Sequence, residues 1–163
     1  MASSSAHYGH RPCRLVEVSH EVGDPRASQD RPDRLPWLIR RFIDPAAEIV
    51  YVPAAEVLVY AEREGATSFD APGARYTHTG NKCTFETLID EYEIVDPAIA
   101  IMARVVHGAD IAGDLKAVAE SAGLLAIADG FALLEVTDQQ QLELELPVYD
   151  ALYAWAQDQL RAF

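Results

Sequence analysis

The stretch from His78 to Asp110 concentrates side-chain types that bind transition metals. The segment THTGNKCTFE contains a histidine, a cysteine and a glutamate, and the segment HGAD contains a histidine and an aspartate. Imidazole, carboxylate and thiolate together form a ligand set suited to iron, manganese or zinc. We therefore predict one divalent transition metal ion at this set. Its predicted ligands are His78, Cys83, Glu86, His107 and Asp110.

The first of these segments opens a predicted helix. Cys83 and Glu86 lie at its N-terminus, where the positive end of the helix dipole favours a thiolate. Asp90 follows Glu86 by one turn and shares its face, so we predict Glu86 and Asp90 as candidate catalytic acids or bases. The spacings match no standard metal motif. A packed Cys83 and a helix-capping His107 are therefore the competing interpretation.

A second cluster lies in the segment DRLPWLIRRFID, which contains Arg34, Trp37, Arg40 and Arg41. The planar guanidinium group suits oxyanions, and Trp37 lies one helical turn from Arg41, at a spacing that allows cation–π stacking. We predict that these four residues bind a small anion, either chromate or another inorganic or organic oxyanion. The competing interpretation is that the arginines pair with acidic side chains of a strongly acidic protein.

The charge distribution restricts the classes of partner. The 163 residues include 13 basic and 26 acidic side chains, which gives a net charge of −13. Residues 1–41 carry a net charge of +2, whereas residues 42–163 carry −15. Affinity for nucleic acid comes largely from basic side chains that neutralise phosphates. We therefore expect no nucleic-acid partner, and we expect any bound anion to lie near the arginines of the first quarter.

The sequence composition also indicates in which cellular compartment the protein is expected. No run approaches the roughly 18 uninterrupted apolar residues of a membrane span, and the start MASSSAHYGH lacks the layout of a secretory signal. The two cysteines, Cys13 and Cys83, form no disulfide framework. We therefore expect a cytoplasmic protein that has no membrane partner.

The pattern of apolar residues predicts an α+β fold, helix-dominated, in a single domain with a small sheet of short strands. We predict a mobile N-terminal arm over residues 1–30, with a possible strand at Leu15–Val18, and the domain itself over residues 31–163. Further predictions are a strand at Glu48–Val52, a helix opened by Pro53 and ended by Gly65, and a loop with short strands over residues 66–82.

Five later helices are expected from capping and proline signals. Thr84 is predicted to cap one helix, Asp96-Pro97 to start another that ends at His107-Gly108, and Asp114 to cap a third. Asp138 is expected to open a short helix, and Pro147 to introduce the final one. That final helix carries Tyr149, Tyr153 and Trp155, which fill the domain's own core or, alternatively, contact a second copy in a homodimer.

Several phrases, taken together and in order, resemble the C-terminal domain family of the chromate-resistance protein ChrB. The resemblance runs from about Asp33 to Gln157, and the matching phrases are DRLPWLIRRFID, AEIVYVPAAEV, THTGNKCTFETLIDEY, VVHGAD, AGLLAIADG and YDALYAWA. One departure is Leu35, which stands where the family often has a cysteine before its Pro-Trp pair. Thiol chemistry at that position is therefore not expected in this chain.

The resemblance implies a role in chromate resistance, as a chromate sensor or an accessory factor. The histidine, cysteine and carboxylate set falls on the resembling stretches, as do Arg40 and Arg41. We accordingly expect a metal-binding domain, either a mononuclear metal-dependent enzyme or a redox protein acting on a small anion. The alternative is a non-enzymatic sensor or accessory module that binds chromate or another oxyanion through its arginines.

Overall fold

The computed structural model describes residues 13–18, 34–111 and 113–161. Within these ranges six α-helices accompany three short strands, which confirms the predicted helix-dominated α+β domain. The boundary predicted between residues 30 and 31 lies outside the described residues, as does most of the predicted arm. The elements in chain order are β1 (Arg14–Val18), α1 (Arg34–Leu38), β2 (Glu48–Val52), α2 (Val57–Glu64), β3 (Thr67–Ser68), α3 (Thr84–Glu91), α4 (Pro97–Asp110), α5 (Ala119–Phe131) and α6 (Asp138–Gln159).

The sheet is parallel and has the strand order β2-β1-β3. Leu15 pairs with Ile49 on one side and with Thr67 on the other, so the strand predicted within the N-terminal arm is the central one. Successive side chains of a strand point to opposite faces. Leu15 accordingly packs in the main core, which residues of α1, α3, α4 and α6 also form. Val16, on the opposite face, packs with Val57 of α2 in a smaller cluster.

The segment from β2 to the end of α2 follows the sequence prediction closely. β2 has the predicted bounds Glu48–Val52, and Pro53 precedes a 3₁₀ turn that leads into α2. Gly65 ends α2 with a φ of +65°, a left-handed conformation that glycine adopts without steric cost. The predictions for these elements are therefore confirmed.

Helix α1 packs against the last helix. A π-helical turn, Ile39–Ile43, continues α1, and the backbone N–H of Asp44 closes it onto the carbonyl of Ile39. The ring of Trp37 is fully buried and lies 6.1 Å from that of Tyr149 and 5.8 Å from that of Tyr153, measured between centroids. The aromatic face of the final helix therefore fills this domain's own core.

Two helix starts differ from the prediction. Helix α5 begins at Ala119 rather than after Asp114, and its one fully buried residue is Ser121. The Ser121 hydroxyl donates to the Val105 carbonyl of α4 (2.9 Å), beside Gly108. Small side chains thus let α5 approach α4 closely.

Pro147 does not start a helix. It lies inside α6, a single helix of 22 residues that Thr137 and Gln140 cap at its N-terminus. A proline inside a helix removes one backbone hydrogen bond. Leu142 before it and Tyr149 after it are both buried, so tertiary packing on each side holds the helix together.

Helix α4 starts as predicted, with Asp96 accepting hydrogen bonds from the N–H groups of Ala98 and Ile99. It extends beyond the predicted end at His107-Gly108 and finishes at Asp110. The two additional residues place His107 within the helix and Asp110 at its C-terminus. No helix among the described residues is long and apolar enough to cross a bilayer.

Candidate metal centre

Three side chains of the predicted ligand set meet in the structure. One potential ligand atom each from Cys83, Glu86 and His107 lies within 4.8 Å of the other two. The Nδ1 atom of His107 is 2.6 Å from Oε2 of Glu86. Cys83 is buried, and the other two side chains are largely shielded from solvent. The structure therefore brings a thiol, a carboxylate and an imidazole to one point.

The first turn of α3 positions two of these groups. Cys83, not the predicted Thr84, occupies the N-cap, and its backbone N–H donates to Oε2 of Glu86 at 3.0 Å. Thr84 instead donates its hydroxyl to Asp70 in the preceding loop. Serine and threonine are usual N-caps and cysteine is not, so capping preference favoured the wrong neighbour. The observed cap turns the thiol and Glu86 toward the C-terminal part of α4.

The Cys83 thiol is protonated in the absence of a metal. Burial raises the pKa of Cys83 to about 12, although the hydrogen bond from the backbone N–H of Glu86 and the nearby Arg34 act in the opposite direction. The sequence favoured a thiolate because a helix N-terminus carries partial positive charge, but the desolvation of the buried thiol is the larger effect. A metal ion bound there has to displace this proton.

His107 lies between two carboxylates. Its Nδ1 atom faces Glu86, and its Nε2 atom is 3.0 Å from Oδ2 of Asp114, in the connection between α4 and α5. The hydrogen bond to Glu86, assisted by the one to Asp114, raises the pKa of His107. Asp114, predicted as a helix cap, is therefore a neighbour of the candidate metal ligands.

The other two predicted ligands form a separate, adjoining group. Asp110 is almost fully buried, 2.8 Å from the Nη2 atom of Arg34 and 3.1 Å from the Nε2 atom of His78. Asp70 lies 3.8 Å from the same Arg34 atom. Neither His78 nor Asp110 shares the point where Cys83 and its two partners meet.

Arg34 joins the two groups. It is buried, and although burial alone would lower its pKa, Asp110 and Asp70 raise the pKa of the guanidinium above its ordinary value. The charges of Arg34 and Asp110 both act on the Cys83 thiol. Asp70 and Asp110 thus pair with Arg34, whereas Glu86 and Asp114 flank the imidazole of His107 in the adjoining group.

The predicted anion-binding residues do not converge on one point. The Trp37 indole N–H and the Arg41 Nε–H both donate to Oδ1 of Asp150, each at 2.8 Å, and Arg41 also bonds Oδ2 at 2.6 Å. Arg40 donates to the backbone carbonyl of Ala47. Arg34 is engaged by buried carboxylates. The contacts seen here match the interpretation in which arginines pair with acidic groups.

The second predicted catalytic carboxylate lies away from the cluster. Asp90 is exposed and pairs with Lys82 on the surface of α3. Glu86 is therefore the carboxylate of this helix that lies beside the thiol and the imidazole.

Three carboxylates that pair with predicted site residues were not themselves predicted as site residues. Asp70 and Asp150 pair with predicted arginines, and Asp114 pairs with a predicted ligand. With 26 acidic residues in the chain, many carboxylates could pair with the predicted arginines and ligands. Spacing along the sequence does not show which of them do. The HGADIAGD segment contains the only available signal, a second aspartate seven residues after His107.

Comparison with known proteins shows the family to which the chain is similar. Residues 27–156 match the family model described as ChrB, C-terminal domain. The chain is also 32% identical over 118 residues to Protein ChrB of Cupriavidus metallidurans, a match that covers 72% of this chain and 35% of that protein. The match thus spans about a third of the length of this relative. No solved structure gives a significant match.

Proposed function

The chain belongs to the family of ChrB C-terminal domains, and from this premise we propose that it is a metal-binding domain. In this proposal Cys83, Glu86 and His107 hold one divalent transition metal ion. The observation that carries the proposal is the approach of their three ligand atoms to within 4.8 Å of one another. The two carboxylates that flank His107, Glu86 and Asp114, support it further, because their negative charge favours a cation beside the imidazole.

The chemistry of the three proposed ligands limits which metal ions the site would bind. A thiolate, an imidazole and a carboxylate match zinc and also suit iron, whereas manganese prefers oxygen ligands. Three protein ligands leave a position for water or substrate, which is the arrangement of catalytic rather than structural zinc sites. The metal would act as a Lewis acid that polarises a ligand bound at that position.

The proposed metal site is compatible with a small anion as its substrate. A thiolate and a carboxylate balance the charge of a divalent ion, so an oxyanion can reach the open position without strong repulsion. Arg41 is engaged by Asp150 and Arg34 by buried carboxylates, which makes an arginine-only oxyanion sensor the weaker candidate. We therefore propose that chromate or another small oxyanion binds at the metal, in a reducing compartment such as the cytoplasm, where a free thiol persists.

Metal quantitation tests this proposal. Protein purified without an affinity tag is reconstituted separately with Zn²⁺, Fe²⁺ and Mn²⁺ under reducing conditions, desalted and analysed for metal content. We expect close to one equivalent of zinc or iron in the wild type. Cys83→Ser and His107→Ala should each lose most of the bound metal, because each removes one of three ligands.

Two variants serve as matched controls. Cys13→Ser removes the other cysteine, and His78→Ala removes a histidine that lies outside the cluster. Both should retain the wild-type metal content. The proposal is wrong if the wild type holds well under half an equivalent of every metal, or if the two control variants lose as much metal as the two ligand variants.

A further inference from the structure

Asp114 lies on the outer side of the imidazole that belongs to the candidate metal centre. We propose that Asp114 is a positioning residue that fixes the tautomer and orientation of His107, so that Nδ1 is the nitrogen that binds the metal. This inference rests on the proposed metal site and extends it beyond the three ligands. It also assigns a role to a side chain that the sequence pattern presented as a helix cap.

The two nitrogens of His107 face different surroundings. Nδ1 points at Glu86, whose carboxylate also accepts the backbone N–H of Cys83, so this nitrogen lies on the side of the other two ligands. Nε2 points away from them toward Asp114, half of whose side chain is exposed. Nδ1 is therefore the nitrogen placed for coordination.

A neutral imidazole has one N–H group and one free lone pair. If Nδ1 gives its lone pair to a metal, the proton lies on Nε2 and is donated to the Asp114 carboxylate. This arrangement of carboxylate, histidine and metal fixes the ring and raises the basicity of the ligating nitrogen. The opposite tautomer would leave the Asp114 carboxylate facing a lone pair, which is repulsive.

The backbone holds Asp114 in place for this task. The N–H of Asp114 donates to the carbonyl of Ile111 at 3.1 Å, and its own carbonyl accepts from Ala117 at 2.8 Å. Gly113 precedes it with a φ of +102°, a conformation that side chains rarely adopt. The backbone of the turn after α4 thus holds the Asp114 carboxylate against His107, seven residues earlier in the chain.

Metal affinity measured with Zn²⁺ and Co²⁺ against a chromophoric chelator tests the inference. Asp114→Ala removes the acceptor and should weaken binding about 10- to 100-fold, the usual effect of losing such an outer partner. Asp114→Asn keeps an acceptor oxygen without the charge and should fall between Asp114→Ala and the wild type. Stoichiometry should stay at one ion, and the visible absorption bands of bound Co²⁺ should keep their positions.

Glu120→Ala provides the matched control, because it removes one exposed negative charge from the first turn of α5. It should leave affinity within about twofold of the wild type, whereas an equal loss in this variant would reduce the role of Asp114 to general electrostatics and overturn the inference. Circular dichroism on each variant confirms folding, and the asparagine variant provides the comparison if the alanine variant unfolds.

Two further outcomes also overturn the inference. Unchanged affinity in Asp114→Ala would show that the contact does not position the ligand. A shift of the Co²⁺ bands in Asp114→Ala would show that Asp114 binds the metal directly. Either result leaves the proposed metal site standing as long as Cys83→Ser and His107→Ala lose the ion, so the two proposals fail separately.

Discussion

The Nδ1 atom of His107 lies 2.6 Å from Oε2 of Glu86, although 21 residues separate the two in the chain. Glu86 belongs to the first turn of α3, and His107 lies near the end of α4. The same carboxylate also caps α3 through the backbone N–H of Cys83. One side chain therefore shapes a helix start and presents a negative charge to the imidazole.

Substituting Glu86 should affect metal binding in a way that substituting its helical neighbour does not. In Glu86→Gln the amide oxygen can still cap α3, but the charge beside His107 is lost. We expect metal affinity to fall by more than the roughly 10- to 100-fold that an outer carboxylate contributes, because Glu86 is itself a proposed ligand. Asp90→Asn, on the exposed pair with Lys82, should bind metal as the wild type does. Chelator competition measures both; equal affinities in the two variants would contradict the assignment of Glu86.

Removing Arg34 should strongly destabilise the fold. Arg34→Met leaves the buried carboxylates of Asp110 and Asp70 without their cation, and breaking a buried pair in this way typically costs about 3–5 kcal/mol. Arg63→Met, on the exposed pair with Glu64, should change the unfolding free energy little. Chemical denaturation of both variants provides the comparison. A loss below about 1 kcal/mol in Arg34→Met would mean that the two carboxylates become protonated or solvated at little cost.

The contact between helices α4 and α5 should tolerate no side chain at Gly108. A Cβ atom there would overlap the Ser121 hydroxyl and lie 3.0 Å from the Asp114 carbonyl oxygen. We expect Gly108→Ala to lower the unfolding free energy by about 1–3 kcal/mol, the usual cost of overpacking.

Gly123 is the matched control for this substitution, because a Cβ atom there would have open space around it. Gly123→Ala should therefore raise the unfolding free energy by about 0.5–1 kcal/mol through the lower backbone entropy of the unfolded chain. Thermal melts followed by circular dichroism report both changes. Equal effects at the two glycines would show that close packing does not govern the α4–α5 contact.

Asp150 should make stability depend on pH in the acid range. The hydrogen bonds from Arg41 and Trp37 lower the pKa of Asp150 below its ordinary value of 3.8. The folded state thus binds this proton less readily than the unfolded state does. The stabilisation is complete above that ordinary value and disappears as pH falls through the lower folded-state pKa.

The difference in unfolding free energy between the wild type and Asp150→Asn measures this contribution. It should stay constant from neutral pH down to about pH 5 and shrink below about pH 4. Asp158→Asn, which removes an exposed carboxylate of the same helix, is the charge-matched control. A wild-type advantage over Asp150→Asn that grows with acidification would have the wrong sign and refute the argument.

Local signals in the sequence predicted much of the secondary structure. Gly65 ends α2 because glycine adopts the left-handed conformation, and Asp96-Pro97 starts α4 because an aspartate cap and a proline in the first turn both favour a helix start. Local rules failed where packing outweighed them. Pro147 lies within a helix held by buried neighbours on both sides, and Cys83 caps α3 in place of Thr84.

The sequence by itself determined the residue types available for metal chemistry and placed Cys83 and Glu86 on one helical turn, because that proximity depends only on neighbours along the chain. Tertiary structure alone decided which distant groups meet them. Helices α4 and α5 approach closely at Gly108 and Ser121. The turn that connects them therefore places Asp114, rather than Asp110, against His107. Such convergence depends on packing between helices, which residue spacing does not encode.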